Sequence, residues 1–195
     1  MRAVRAISSG GLVVFPTSGL YGLAADALST AAVENVFEAK GRGSDKPLLI
    51  LIGHQDDLAR LVTDVPPAAA VLMDELWPGG LTLVLPAAPT LPKALTAGTG
   101  KIGIRLPAHP VARALVEIAG RPITGTSANV SGQPGCSQID TLDEKIAQTA
   151  DLILDAGCLA GGAGSTVVDA TGAKTVILRH GAISKDAIEK ALNGV

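Results

Sequence analysis

Short, almost unbroken apolar runs constrain this chain most: LVVF at 12–15, PLLILI at 47–52 and LTLVLP at 81–86. Runs of this length suit strands, and a strand apolar on both faces must be covered on both. Between them lie segments with helical spacing. Residues 2–9 read as a short helix stopped by Gly10 and Gly11. Ser29 or Thr30 can cap a helix running to Lys40, with Ala32, Val33, Val36 and Phe37 at helical intervals. Further helices are expected over 56–62, 68–77, 110–119 and near 141–149, and from about 185 behind a Ser184 cap. IGIRLP at 102–107 alternates and projects Arg105 from a strand end; further strands fall at 122–126, 152–155, 166–169 and 175–179. Strands alternating with helices define a layered α/β architecture, although pattern alone leaves parallel and mixed sheets open.

The 195 residues fit one domain, 1–195, long enough to bury roughly 70% of its unfolded surface. The chain is 47% hydrophobic but its aromatic residues are Phe15, Tyr21, Phe37 and Trp77, so Ala, Val, Leu and Ile must build the core. Cys136 and Cys158 form no CxxC pair, and no secretory leader is legible, so the expectation is a reduced, cytoplasmic protein. No apolar run reaches the roughly 18 residues needed to cross a bilayer. A formal charge of −2 gives no global attraction for nucleic acid, so RNA contact would need local basic clustering.

Two segments carry candidate chemistry. AKGRGSDKPL at 39–48 concentrates Lys40, Arg42 and Lys46, with Gly41 and Gly43 letting the backbone bend so that the charges converge. TGTSANVSG at 124–132 offers hydroxyls, an amide and a turn whose backbone N–H groups can hold oxyanions. Arg binds phosphate through a planar fork and Lys as a mobile point charge, so together the segments suggest a phosphate site. Alone, each also reads as an ordinary solvated loop or turn. Thr17 follows Pro16 at a strand end, where α/β sheets line ligand crevices. Arg105, inside an apolar strand, needs a carboxylate or phosphate partner. Tyr21 reads equally as core or groove wall. His54, His109 and His180 show no metal spacing and read as surface or core, and no Ser-His-Asp set or Walker-type loop is present.

FPTSGLYGLAADA (15–27), Lys40-x-Arg42, WPGGLTLVLP (77–86), IGIRLPAHPVARAL (102–115), TSANVSG (126–132) and STVVDATGAKTVILRHGAIS (165–184) occur in an order that resembles the YrdC-like family. The resemblance runs from about residue 12 to 184. It implies a YrdC-like (DHBP-synthase-like) α/β fold: a twisted, mixed parallel and antiparallel sheet flanked by helices, enclosing a concave active-site groove. It also implies a nucleotidyltransferase that makes L-threonylcarbamoyladenylate and pyrophosphate from L-threonine, bicarbonate or CO₂, and ATP, for tRNA N6-threonylcarbamoyladenosine modification. By that resemblance Lys40 and Arg42 are catalytic and bind ATP, with Lys46, Ser127, Asn129 and Arg179. Thr17, Arg105, Ser165 and the Gly125 backbone bind threonine. Mg²⁺ is implied only as the companion of ATP, with Asp45 and Asp169 as candidate outer ligands. Downstream tRNA-threonylcarbamoylation proteins are the implied partners, and the short bacterial form is the nearest match in length.

Departures from the family pattern gather on the substrate side. Thr17-Ser18-Gly19 stands where Thr-Glu-Thr is usual, Gly43 and His180 replace frequent prolines, Lys101 a threonine and Gly164 a glutamate. Gln133-Pro134-Gly135-Cys136 lacks the usual Ser-Pro-Thr. Two other functions stay open on this reading: a non-catalytic nucleotide- or RNA-binding paralogue, and a carbamoyl-adenylate enzyme with another acceptor.

Overall fold

The computed structural model describes residues 1–43 and 45–194. In chain order its elements are α1 (Arg2–Ser8), β1 (Val13–Pro16), β2 (Tyr21–Ala24), α2 (Thr30–Lys40), β3 (Leu49–Leu51), α3 (Pro67–Leu76), β4 (Leu81–Pro86), α4 (Lys93–Thr96), β5 (Lys101–Arg105), α5 (Pro110–Ala119), β6 (Ile123–Thr124), β7 (Thr126–Ser127), α6 (Glu144–Thr149), β8 (Leu152–Ile153), β9 (Thr166–Asp169), β10 (Val176–Arg179) and α7 (Lys185–Asn193). Local chemistry sets many of the ends. Ser29 accepts the Ala32 amide and Gly41 closes α2 in the left-handed region at φ 54°. Pro110 opens α5 and Gly120 closes it at φ 64°.

The strands form a four-stranded sheet, β7-β2-β1-β8, and a six-stranded sheet, β10-β9-β4-β5-β3-β6. Both are mixed: β1–β8, β3–β5 and β4–β9 run parallel, the other neighbours antiparallel. The expected mixed α/β fold is therefore present, its strands divided between two hydrogen-bonded sheets. One segment joins them. β6 pairs with β3 in the larger sheet and β7 with β2 in the smaller, with Gly125 as the pivot. A Cβ on Gly125 would lie 2.6 Å from Leu49 Cδ1 and 2.8 Å from Leu51 Cδ2, so a larger residue would force these leucines to shift.

The doubly apolar strands are covered as their sequence requires. In β1, Val14 enters the larger core with Leu23 and the α2 residues Val33 and Val36, while Val13 and Phe15 pack on the other side with Ile7, Leu115 and Val116. β4 and β5 differ. Leu81, Leu83, Leu85, Ile102 and Ile104 point into the core, leaving Thr82, Val84, Lys101, Gly103 and Arg105 on the opposite face. That face floors a cavity.

Three expectations need adjustment. β2 carried no strand signal: YGLA is short and holds a glycine, and its extended state comes from the hairpin register with β1, Val13 opposite Ala24 and Pro16 opposite Tyr21. The helix expected over 56–62 is a 3₁₀ helix at Gln55–Arg60. The helix expected near 141–149 is split into a 3₁₀ turn at Ile139–Thr141 and α6, because Asp143 accepts the Lys145 and Ile146 amides as a new N-cap. Among the described residues no helix is long and apolar enough to cross a membrane. Cys136 and Cys158 are both free.

Candidate functional site

A cavity of about 660 Å³ opens between the two sheets. Its floor is the polar face of β4, β5 and β9. Its other wall is built by residues 17–22, Arg42, Pro47–Leu49, Gly125 and β7, and Ala163 and Gly164 also line it. Thr17, Arg42, Arg105, Gly125, Ser127, Ser165 and Arg179 all line it, so residues far apart in sequence meet in one place.

Arg105 stands at the end of β5, and its Nε donates to the Gly79 carbonyl at 2.7 Å. The sequence called for a carboxylate or phosphate partner. Within the described residues the recorded protein acceptor is instead a carbonyl, which leaves the positive charge unmatched. Arg179 reaches the cavity through an irregularity in β10, where the register with β9 shifts between Ile177 and Arg179. Its Nε and Nη2 donate to the Ser165 carbonyl at 3.1 and 2.8 Å, and Nη2 also donates to Ser165 Oγ at 3.0 Å. Ser165 Oγ lies 2.7 Å from Thr82 Oγ1. Arg42 donates from Nε to the Lys46 carbonyl and from Nη2 to the Pro47 carbonyl.

None of these three arginines forms an ion pair among the described residues. All three are held below the usual guanidinium range. Burial is the main cause for each; the charge of Arg179 adds to it at Arg105, and at Arg42 nearby Asp45 works the other way while Arg179 again lowers. Partly desolvated guanidinium groups that repel one another favour an anionic ligand, which removes both costs together.

Lys40 is placed differently from Arg42. It is 1% exposed and lies outside the cavity lining. Its Nζ donates to the Ser127 carbonyl at 2.5 Å and the Asn129 carbonyl at 2.7 Å, and its own carbonyl accepts the Ser131 amide. Burial, with a smaller push from Arg42, lowers its pKa to about 8. Lys40 thus braces the 127–131 turn from behind. Asn129 is buried too: its Nδ2 donates to the Val130 and Gln133 carbonyls and its Oδ1 receives the Ser127 hydroxyl. Lys46 is exposed and lies outside the cavity lining. The two segments that suggest a phosphate site therefore touch each other through Lys40 beneath the cavity lining, and of Lys40, Ser127 and Asn129 it is Ser127 that lines the cavity.

Thr17 donates its hydroxyl to the Leu20 carbonyl at 2.6 Å, closing the 17–20 turn. Gly161 N donates to the Gly19 carbonyl at 2.9 Å, so the glycine-rich segment after β8 lies against this turn. Tyr21 is a fully buried anchor: its hydroxyl donates toward Asp155 Oδ1 at 3.1 Å and the Gly157 carbonyl at 2.8 Å, and accepts the Ala156 amide. Asp169 is committed to Lys101 Nζ at 2.7 Å and to the Thr171 amide and hydroxyl, which hold its carboxyl below the usual range despite burial. Both members of this ion pair line the cavity. Among the described residues no group of three or more His, Cys, Asp or Glu side chains gathers in one place.

Thr82 and His109 are among the lining residues that the sequence does not single out. Thr82 is the lone polar residue within the LTLVLP run, and that irregularity was its signal. His109 read as surface or core, yet it lines the cavity.

Fold and site together define a mixed α/β protein whose two sheets enclose a cavity lined by arginines from β5, β10 and the loop after α2, a setting that favours an anion. The sequence matches the family described as Telomere recombination, Sua5/YciO/YrdC, over residues 5–181. It is 40% identical over 189 residues to the threonylcarbamoyl-AMP synthase of Pyrococcus abyssi, covering 97% of this chain and 56% of that protein. It is 41% identical over 189 residues to the threonylcarbamoyl-AMP synthase of Bacillus subtilis, covering 94% and 54%. The crystal structure of P. abyssi Sua5 complexed with L-threonine is similar at TM-score 0.91 and 40% identity, covering 97% of this chain and 56% of that one. The chain belongs to the Sua5/YciO/YrdC family, and it spans just over half the length of these relatives.

Proposed function

We propose that this chain carries threonylcarbamoyl-AMP synthase activity, a nucleotidyl transfer that joins L-threonine, CO₂ from bicarbonate and AMP from ATP, with release of pyrophosphate. The observation that carries the reading is the convergence of Arg42, Arg105 and Arg179 on one cavity without a carboxylate partner among the described residues. A triphosphate and an amino-acid carboxylate supply the missing negative charge. The match to relatives named threonylcarbamoyl-AMP synthase, and to a Sua5 structure complexed with L-threonine, supports the same substrates.

In this mechanism the threonine amine adds to CO₂ to give a carbamate, losing its protons to solvent. A carbamate oxygen then attacks the α-phosphorus of ATP and the bond to pyrophosphate breaks. No enzyme nucleophile is needed. Alignment of bound reactants can supply roughly 7–11 kcal/mol, and fixed cations stabilise charge that grows in the transition state. Arg105 would hold the threonine carboxylate, with Thr17, Ser165 and the Gly125 backbone shaping that end. Arg42, Arg179 and Ser127 would hold the phosphates. Lys46 would approach the triphosphate from the exposed loop, while Lys40 and Asn129 would keep the turn in place. Mg²⁺ would travel with the triphosphate, bound by phosphate oxygens and water and neutralising charge there. The adenylate would pass to tRNA-modifying partners in the cytoplasm.

The test is pyrophosphate release from ATP with Mg²⁺, measured with and without threonine and bicarbonate, with the adenylate identified by mass. Release dependent on both is expected. Release with bicarbonate but another acceptor would retain the nucleotide chemistry and replace the amino acid; ATP binding without release would leave a binding protein.

A further inference from the structure

Among the described residues, His109 Nδ1 is the one buried side-chain nitrogen or oxygen without a hydrogen-bond partner. Such groups are rare in folded proteins and ask for an explanation. The residue lines the cavity, four positions after Arg105. Its segment is pinned there: Arg105 Nε donates to the Gly79 carbonyl, and Gly79 N donates to the Leu106 carbonyl. Among the described residues Nε2 has no hydrogen-bond partner and, unlike Nδ1, it is not fully buried, so it is the ring nitrogen open to a ligand.

This asymmetry selects a tautomer. A proton on Nδ1 would bury an N–H with no acceptor, whereas a proton on Nε2 places the N–H at the accessible edge and leaves Nδ1 a bare acceptor. The surroundings also disfavour the imidazolium. His109 is the N-cap of α5, at the positive end of its dipole. Arg105 from β5 and Arg179 from β10 bring positive charge into the same cavity, and the carboxylate there, Asp169 of β9, is held by Lys101. Burial lowers the His109 pKa below its ordinary value.

We propose that His109 is a neutral, Nε2-protonated donor at the Arg105 end of the cavity, and that this N–H binds a carboxylate or carbamate oxygen of the amino-acid substrate. The assignment rests on the function proposed above. It gives the substrate a hydrogen bond without adding another positive charge to the arginine cluster.

The test uses the full chain with ¹⁵N-labelled histidine, following long-range ring ¹H–¹⁵N correlations while calorimetry records L-threonine binding in the presence of a non-hydrolysable ATP analogue. His109 is expected as the Nε2–H tautomer at neutral pH, with its Nε2 signal shifting on threonine addition. Two variants sharpen the result. In H109Q the amide nitrogen reaches the place of Nε2, so threonine affinity stays close to wild type. In H109N the amide is too short but caps α5 well, so the helix is kept and affinity falls about tenfold or more. An Nδ1–H or imidazolium form at neutral pH, or H109N binding as tightly as wild type, would overturn the assignment. Binding heat with silent His109 signals would overturn this inference and spare the proposed function. No threonine binding at all would overturn both.

Discussion

The ammonium of Lys40 donates to the carbonyl of Ser127 at 2.5 Å, joining the C-terminal end of α2 to the end of β7. Through this bond and its neighbour to Asn129, a cation that reads in sequence as a phosphate ligand becomes the support of the surface that ligand would touch.

Replacing Lys40 by methionine keeps most of the buried stem but leaves two carbonyls without their donor. Each unsatisfied buried group costs about 1–3 kcal/mol. K40M is therefore expected to lose stability in urea titration at neutral pH and to lose ATP-dependent turnover with it. Wild-type stability with lost turnover would return Lys40 to a direct role in the chemistry.

The same burial gives Lys40 a pH signature. In the unfolded chain it keeps its proton up to about 10.5; in the fold it releases it near 8. Below 8 both states are protonated and this group contributes no slope. Between 8 and 10.5 the unfolded state binds more protons, so rising pH favours the fold. Urea titrations across that window should show wild-type stability rising relative to K40M, with a constant difference below it. A difference that shrinks with rising pH would contradict the buried-ammonium geometry.

Anions should relieve the repulsion among Arg42, Arg105 and Arg179. Inorganic pyrophosphate is expected to raise the melting temperature, by the equivalent of about 2.7 kcal/mol at a hundredfold excess over its dissociation constant. The shift should shrink in R42A and R179A and at high salt. Equal shifts in these variants would place the anion elsewhere.

Arg105→Ala removes the cation nearest the proposed carboxylate site. The threonine requirement should rise about tenfold or more, as for loss of a charge-assisted hydrogen bond, with a smaller effect on the ATP requirement. Steady-state kinetics varying each substrate separately checks this, and an unchanged threonine KM would reassign Arg105 to holding Gly79.

Gly19 is held in close contact with Gly161. A Cβ there would overlap the Gly161 carbonyl, whose own amide donates to Gly19. Gly19→Ala should push the 161–164 segment away from the cavity, seen as faster amide hydrogen exchange at Gly161 and reduced turnover. Unchanged exchange would show that the segment yields without opening.

Local signals made much of this molecule legible. The Ser29 cap, the Gly120 helix end and the Pro110 start act within one helical turn, so they read directly from the residues. The alternation of β5 put Arg105 on its own face, and the doubly apolar LVVF run required cover on both sides, as α1, α2 and α5 supply. β2 escaped because its strand state belongs to its pairing with β1; the polar interruption at Thr82 and the lone His109 mark residues out of pattern without showing which segment they will face.

The sequence by itself determined most of the elements, the alternating faces of β5 and the family, because propensity, capping and apolar period act between residues close along the chain. Only the tertiary structure decided that Arg42, Arg105 and Arg179 share one cavity and that Lys40 lies behind the turn instead of inside it. Those placements arise from the crossing at Gly125, the register shift before Arg179 and two carbonyls nearly ninety residues from Lys40. Burial and hydrogen bonding between such distant segments depend on how the sheets close, which no short window of sequence contains.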